Sequence, residues 1–250
     1  MITGDHKNTA FAIGKELDIC KHESEIITGE ELDKLSDRQL AVKIQNISIF
    51  ARVNPGHKLR IVKAFKAKGN IVAMTGDGVN DAPAVKEADI GICMGIAGTD
   101  VTKEASSMIL LDDNFATIVS AVEEGRVIYD NIRKFIRYLL SCNLGEVLTM
   151  FLTSIFYLDT PLLPIQILMV NLATDGLPAI ALGVDPPQGD IMRGKPRAKN
   201  ESIFARGLSE KIIVRGALIG VCTVLAFVIG LYLGFGLKTS RTIALCTLIM

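Results

Sequence analysis

The chain of 250 residues has no surplus of either charge, with 27 Lys and Arg against 27 Asp and Glu. Its totals therefore give no case for nucleic-acid binding or for an acidic substrate. It also lacks paired cysteine spacing. Cys20, Cys93, Cys142, Cys222 and Cys246 stand apart, three of them in apolar runs. That pattern argues against a disulfide framework or a clustered zinc site and reads as buried thiols. No N-terminal signal segment is visible, and the first residues read as part of a folded domain.

What is present is unevenly distributed. Residues 1–134 carry most of the charge, and the remainder is largely apolar apart from a basic island near 193–215. The runs Phe135 to Leu158, Leu162 to Leu182 and Ile212 to Gly236 each reach the roughly 20 residues that a spanning helix needs, and a fourth begins at Ile243. Buried helices of a soluble core are the weaker reading, because consecutive runs of this length would leave little surface. Arg126, Arg133, Lys134 and Arg137 precede or open the first run. Asp159-Thr160-Pro161 has no cation, whereas the next connection holds Arg193, Lys195, Arg197, Lys199, Arg206 and Lys211. The positive-inside bias puts residues 1–134 and the 183–211 loop in the cytoplasm. Short turns at 159–161 and 237–242 then face outward, with Lys238 and Arg241 weakly against the rule.

The first part reads as alternating strand and helix. Strands are expected at Ser48 to Val53, Ile71 to Thr75, Ile90 to Met94 and Met108 to Leu111. Pro55 opens a helix that ends at Gly69, and a short helix covers Asp81 to Ala88. Such alternation implies an α/β fold with a parallel sheet covered on both faces. Sites in these sheets lie outside the carboxyl ends of the strands. That edge receives Thr75-Gly76-Asp77-Gly78-Val79-Asn80-Asp81-Ala82-Pro83, in which two carboxylates four residues apart flank glycine. An oxygen-rich corner of this kind suits Mg²⁺ holding a phosphoryl group, since Mg²⁺ is bound by one or two carboxylates plus substrate oxygens. Thr3-Gly4-Asp5 follows a strand tail and could hold a phosphoryl oxygen, with a plain turn equally open. Lys58 could neutralise a transferring phosphate. Taken alone it fits a solvated helix lysine better, like Lys63, Lys66 and Lys68.

In the apolar part, Asn143 and Glu146 sit at i and i+3 and share a helical face. Cys142 then points off that face. Asn171, Thr174 and Asp175 share another face. Pro178 removes the donor that would pair with the Thr174 carbonyl, and Gly176 loosens the turn further. Ionisable and amide groups inside spans are costly and mark function by default. One oxygen each from Asn143, Asn171 and Thr174, with two each from Glu146 and Asp175, supply at most seven ligands. Ca²⁺ takes about 6–8 oxygens in irregular geometry. No Cys-Pro-Cys pair lies in these spans, which argues against copper or zinc. Interhelical polar glue is the plainer alternative, and two carboxylates in neighbouring spans fit it poorly.

The nine-residue run resembles the hinge signature of P-type cation pumps, within the haloacid-dehalogenase superfamily. Ala51-Arg52-Val53-Asn54-Pro55-Gly56-His57-Lys58 and Gly91-Ile92-Cys93-Met94-Gly95 are similar to the same family's phosphorylation domain, in order. The resemblance implies that Thr3, Gly4 and Asp5 lie beside ATP phosphates and that Arg52 and Lys58 contact nucleotide and phosphate. It implies that Asp77 holds Mg²⁺ with support from Asn80 and Asp81. Ser141-Cys142-Asn143-Leu144-Gly145-Glu146 and Val170-Asn171-Leu172-Ala173-Thr174-Asp175-Gly176-Leu177-Pro178 resemble the fifth and sixth membrane helices of calcium pumps, nearest the sarco/endoplasmic-reticulum type and its bacterial relatives. Asp112-Asp113-Asn114-Phe115 and Glu123-Glu124-Gly125-Arg126 resemble the link into the stalk.

The domain boundaries expected on this resemblance are 1–115 for the C-terminal part of a haloacid-dehalogenase-like Rossmannoid phosphorylation domain and 116–134 for a stalk helix. Residues 135–250 are then the fifth, sixth, seventh and start of the eighth membrane helices. No Asp-Lys-Thr-Gly-Thr frame occurs in the 250 residues. The resemblance thus implies a fragment, inactive alone, whose nucleophilic aspartate and partner N-terminal part lie elsewhere in the same pump. The 237–242 turn is much shorter than the corresponding loop of the animal pumps it resembles, which implies a bacterial relative and a prokaryotic cell membrane. Mn²⁺, Na⁺ or H⁺ as cargo, a membrane-tethered phosphatase and a non-catalytic truncated polypeptide are the alternatives.

Overall fold

A computed structural model describes residues 1–187 and 189–250, which form two units, Met1–Val119 and Ser120–Met250. The first unit begins with helix α1 (Lys7–Glu16), strand β1 (Ile26–Thr28) and the short helices α2 (Gly29–Asp33) and α3 (Asp37–Lys43). Thr28 caps α2 and Ser36 caps α3, each in a reciprocal bond with the Glu31 or Gln39 side chain three residues on. Such boxes satisfy the amides that a helix start leaves without partners. Strand β2 (Ile49–Ala51) and helix α4 (Pro55–Ala67) follow. Pro55 supplies the preset first-turn φ, and Gly69 leaves the helix at φ 83°.

Next come strand β3 (Ala73–Gly76), helix α5 (Ala82–Glu87), strand β4 (Ile90–Met94), helix α6 (Asp100–Ala105) and strand β5 (Met108–Leu110). All pairings are parallel, as the alternation of strand and helix demands. They form two small sheets, β1-β2 and β3-β4-β5, in place of the single sheet expected from sequence. On its other side β2 bonds the chain start, with the Phe50 amide donating to the Met1 carbonyl and the Thr3 amide to the Phe50 carbonyl. Leu32, Leu40, Ile44, Phe50 and Ile61 fill one core, while Val62, Met74, Ala84 and Val85 fill another against Ile2.

Helix α7 (Phe115–Ile155) runs unbroken for 41 residues, so the expected stalk and first span are one element. At 1.5 Å per residue it is about 60 Å long. The second unit continues with α8 (Pro164–Met169), a π-helical stretch Val170–Thr174 and α9 (Gly176–Gly183), then α10 (Leu208–Tyr232) and α11 (Gly236–Ile249). Phe115–Ile155, Pro164–Gly183 and Leu208–Tyr232 are long and apolar enough to cross a membrane, which makes this a multi-pass membrane protein. Gly216 shows how closely α7 and α10 pack: a Cβ there would lie 2.7–2.8 Å from three side-chain carbons of Leu144.

Two expectations need correction. The turn expected at 237–242 lies earlier, between Tyr232 and Gly236, where Gly234 and Gly236 take φ 77° and 76°. Lys238 and Arg241 are helical, and the Arg241 guanidinium donates to the Thr160 carbonyl at 2.8 Å. Of the five free thiols only Cys20 and Cys93 are buried, while Cys142 is intermediate and Cys222 and Cys246 are exposed on apolar helices.

Candidate functional sites

In the first unit, β3 delivers Asp77 to its carboxyl end. Gly76 is required here because an added Cβ would lie 2.5 Å from Asp81 Cβ and 2.9 Å from Val85 Cγ2. The Asp81 side chain therefore folds over the strand end and is buried, with Oδ1 2.5 Å from Lys58 Nζ. Pairing and hydrogen bonding are what make a buried carboxylate tolerable. Asp77 and Asn80 remain exposed. The loop between them is pinned from the far side: the Thr99 amide donates to the Asp77 carbonyl, and the Thr102 hydroxyl to the Gly78 carbonyl, each at 2.8 Å.

Thr3, Gly4, Asp5 and Arg52 make a second group. The Asp5 amide donates to Thr3 Oγ1 at 3.1 Å and the Thr3 hydroxyl donates to Asp5 Oδ2 at 2.8 Å, closing a local turn. The Arg52 amide donates to the Asp5 carbonyl at 3.1 Å, from a backbone held at φ 53°. A non-glycine residue in that region is uncommon and carries a strain cost. Among the described residues no hydrogen bond or ion pair joins this group to Lys58, Asp77, Asn80 or Asp81.

A resident Mg²⁺ fits the donor set. Asp81 is committed to Lys58, and Asp77 is left as one open carboxylate, the number such an ion needs when phosphate and water supply the rest. Among the described residues no three His, Cys, Asp or Glu side chains converge into a cage for a metal. Below the sheet edge, the Ile96 and Ala97 amides donate to the Asp113 carboxylate at 3.0 and 2.8 Å. The Ile96 bond does most to hold that carboxyl below its ordinary range, with burial opposing it and the Ala97 bond adding to it.

The second unit holds a buried polar cluster. Glu146 on α7 is 6% exposed, and its Oε2 accepts from Asn171 Nδ2 at 2.7 Å. Asp175 is 5% exposed, at the end of the π-helical stretch. Glu146 Oε1 and Asp175 Oδ2 are both buried without a partner. A buried acceptor left unsatisfied costs about 1–3 kcal/mol, more if charged, so two of them in one cluster make a costly arrangement for a fold to keep. A wide turn precedes Asp175, whose amide bonds the Val170 carbonyl, five residues back, at 2.8 Å. The Thr174 carbonyl is left to accept a long bond of 3.3 Å from the Tyr138 hydroxyl, while the Thr174 hydroxyl donates to the Val170 carbonyl.

Not every expected ligand joins this cluster. Asn143 is exposed and makes no hydrogen bond among the described residues. The inward face of α7 runs instead through Tyr138, Cys142 and Glu146, spaced by four. Tyr138 lies 3.4 Å from Asp175 Oδ1, and Cys142 lies against the same carboxylate. Cys142 is thus on the carboxylate face, contrary to the expectation that it points away. The signal for both residues was the i, i+4, i+8 spacing ending at Glu146.

Comparison with known proteins covers both units. Residues 1–89 match the haloacid dehalogenase-like hydrolase family, and residues 159–250 match the family described as cation transporting ATPase, C-terminus. The chain is 57% identical over 251 residues to a calcium-transporting ATPase of Bacillus subtilis, covering 100% of this chain and 28% of that protein. It is 58% identical over 230 residues to calcium-transporting ATPase 1 of Bacillus cereus, covering 92% of this chain and 26% of that one. To the endoplasmic reticulum-type calcium-transporting ATPase 4 of Arabidopsis thaliana it is 47% identical over 233 residues, covering 92% of this chain and 22% of the relative. The chain therefore spans only about a quarter of the length of the relatives it matches.

Proposed function

We propose that this chain is the C-terminal part of a P-type cation-transporting ATPase of the calcium-pump group, and that its parent exports Ca²⁺ from the cytosol through an aspartyl-phosphate cycle. The observation that carries the reading is the pair of buried carboxylates, Glu146 and Asp175, each with one unpartnered oxygen on neighbouring apolar helices. The parent supplies the nucleophilic aspartate. The cation set is Glu146, Asn171, Thr174 and Asp175, without the exposed Asn143. Hard oxygen donors favour Ca²⁺ over soft metals.

In the first unit, Asp77 holds Mg²⁺, which when bound neutralises charge on the phosphoryl oxygens of ATP. Lys58 is oriented by Asp81 and offers a fixed cation to the same phosphate. Asn80 supports the corner, and Thr3, Gly4, Asp5 and Arg52 line the nucleotide side. Residues 1–134 and the connection after α9 face the cytoplasm of a prokaryotic cell.

The decisive test is phosphorylation of the complete pump by ATP across Ca²⁺, Mn²⁺ and Na⁺. Glu146→Gln is expected to abolish Ca²⁺-dependent phosphoenzyme formation, while Asp77→Asn impairs phosphorylation and leaves Ca²⁺ binding nearly intact. Wild-type calcium dependence in the Glu146 variant removes that residue from the site, and stimulation by Na⁺ in place of Ca²⁺ reassigns the cargo.

A further inference from the structure

A pocket of about 260 Å³ opens in the second unit, at the level where its helices become apolar. Arg133, Lys134 and Arg137 line it from α7, Arg206 and Lys211 from the start of α10 and the segment before it, and Asp130 is its one acidic residue. Part of this charge is already used. Lys134 pairs with Asp185 at 2.5 Å and Arg206 with Glu201 at 2.8 Å. Arg133 donates to the Ala205 carbonyl at 2.6 Å, which fixes the guanidinium without neutralising it. Among the described residues, no carboxylate forms an ion pair with Arg133, Arg137 or Lys211. Arg133 shares the Glu201 carboxylate with Arg206 at longer range, which leaves Arg137 and Lys211 as the cations least compensated. Like charges in one concavity disfavour each other, and an anion seated between them relieves that.

We propose that this pocket binds a phosphate oxyanion, presented by the headgroup of an anionic phospholipid. The lipid source is argued from position. The apolar run of α7 begins at Phe135, between the lining residues Lys134 and Arg137, and that of α10 begins at Ile212, directly after Lys211. A phosphate held here leaves its acyl chains beside apolar side chains of both helices. Basic pockets at the cytoplasmic boundary of membrane helices are a recurring form of headgroup recognition, and arginine suits the oxyanion through its planar fork. The assignment stands independently of the cargo and of the ATP site.

The test uses the complete pump in nanodiscs of phosphatidylcholine alone or mixed in equal parts with phosphatidylglycerol, with native mass spectrometry counting retained lipids. Wild type is expected to retain phosphatidylglycerol in preference to phosphatidylcholine. Arg137→Gln with Lys211→Gln is expected to lower that preference about thirtyfold, equivalent to about 2 kcal/mol for two surface cations. Arg193→Gln with Lys195→Gln removes the same number of charges from the connection between α9 and α10, outside the pocket, and should leave retention unchanged. Hydrogen exchange of α7 and α10 reports whether each variant keeps its fold. Equal retention in the pocket variant, or equal loss in the control variant, overturns the proposal. Displacement by inorganic phosphate without lipid selectivity overturns the lipid source and leaves a soluble phosphate as the ligand.

Discussion

The Lys58–Asp81 pair offers a sharp test of the cytoplasmic corner, because its two ends differ in exposure. The Asp81 side chain is 9% exposed and that of Lys58 26%. Lys58→Met keeps the length of the stem but strands a buried carboxylate. Breaking a fully buried pair in this way costs about 3–5 kcal/mol, whereas an exposed pair is worth about 0–1 kcal/mol. The intermediate exposure of the lysine places the expected loss near 2 kcal/mol. Asp81→Asn leaves a lysine that can turn to water, so its cost is about 1 kcal/mol. The double variant buries no uncompensated charge and should lose less than the two single changes together, by roughly 1 kcal/mol. The readout is hydrogen exchange of the Ala84 and Val85 amides, both bonded to the Asp81 carbonyl at 2.9 Å. A 2 kcal/mol loss speeds their exchange about thirtyfold if opening limits it. Additive single effects, or a larger loss from Asp81→Asn than from Lys58→Met, would refute the reasoning.

Two further outcomes can be checked on the same protein. Asp113 has a carboxyl held below its ordinary range by the Ile96 amide, so the stability it gives is present above about pH 3.9, the unfolded value, and disappears as pH falls through the folded one. Protection of the Ile96 and Ala97 amides should thus be flat from neutral pH to near pH 4 and be lost in stronger acid; loss near pH 6 contradicts it. Gly216→Val should lower the melting temperature in detergent by overpacking against Leu144, at a cost of about 1–3 kcal/mol. An unchanged transition would show that the two helices do not need that close approach.

Much of this architecture is legible in the chain because strong local signals agree with the tertiary result. Ile90–Met94 is a strand with the expected ends, and Pro55 and Gly69 bracket α4. The missing donor at Pro178 leaves the Thr174 carbonyl to the Tyr138 hydroxyl, as the spacing implies. What escaped was of two kinds. Residues 6–47 form elements of 3 to 10 residues, too short for periodicity to register, although the Thr28–Glu31 and Ser36–Gln39 boxes mark two of the starts. The turn after α10 lies inside the apolar run, where Gly234 and Gly236 supply the positive φ that reverses the chain, so hydropathy alone does not mark it. Asn143 and Cys142 illustrate the limit of a helical wheel. Faces at i+3 and i+4 both contain Glu146, and packing alone selects between them.

The wide turn at Val170–Thr174 also constrains how this chain can vary. A helix that bonds five residues back carries one residue more than its neighbours need. Deleting one residue there would restore ordinary winding without breaking the helix. It would leave α8 and α9 nearly in phase and change chiefly which way the residues of the wide turn face. Asn171 would rotate away from Glu146 while each side chain kept its chemical identity. Alignment of the carboxylates is therefore recorded in the pitch of the backbone, and a length change at this point should silence the cluster more thoroughly than many substitutions.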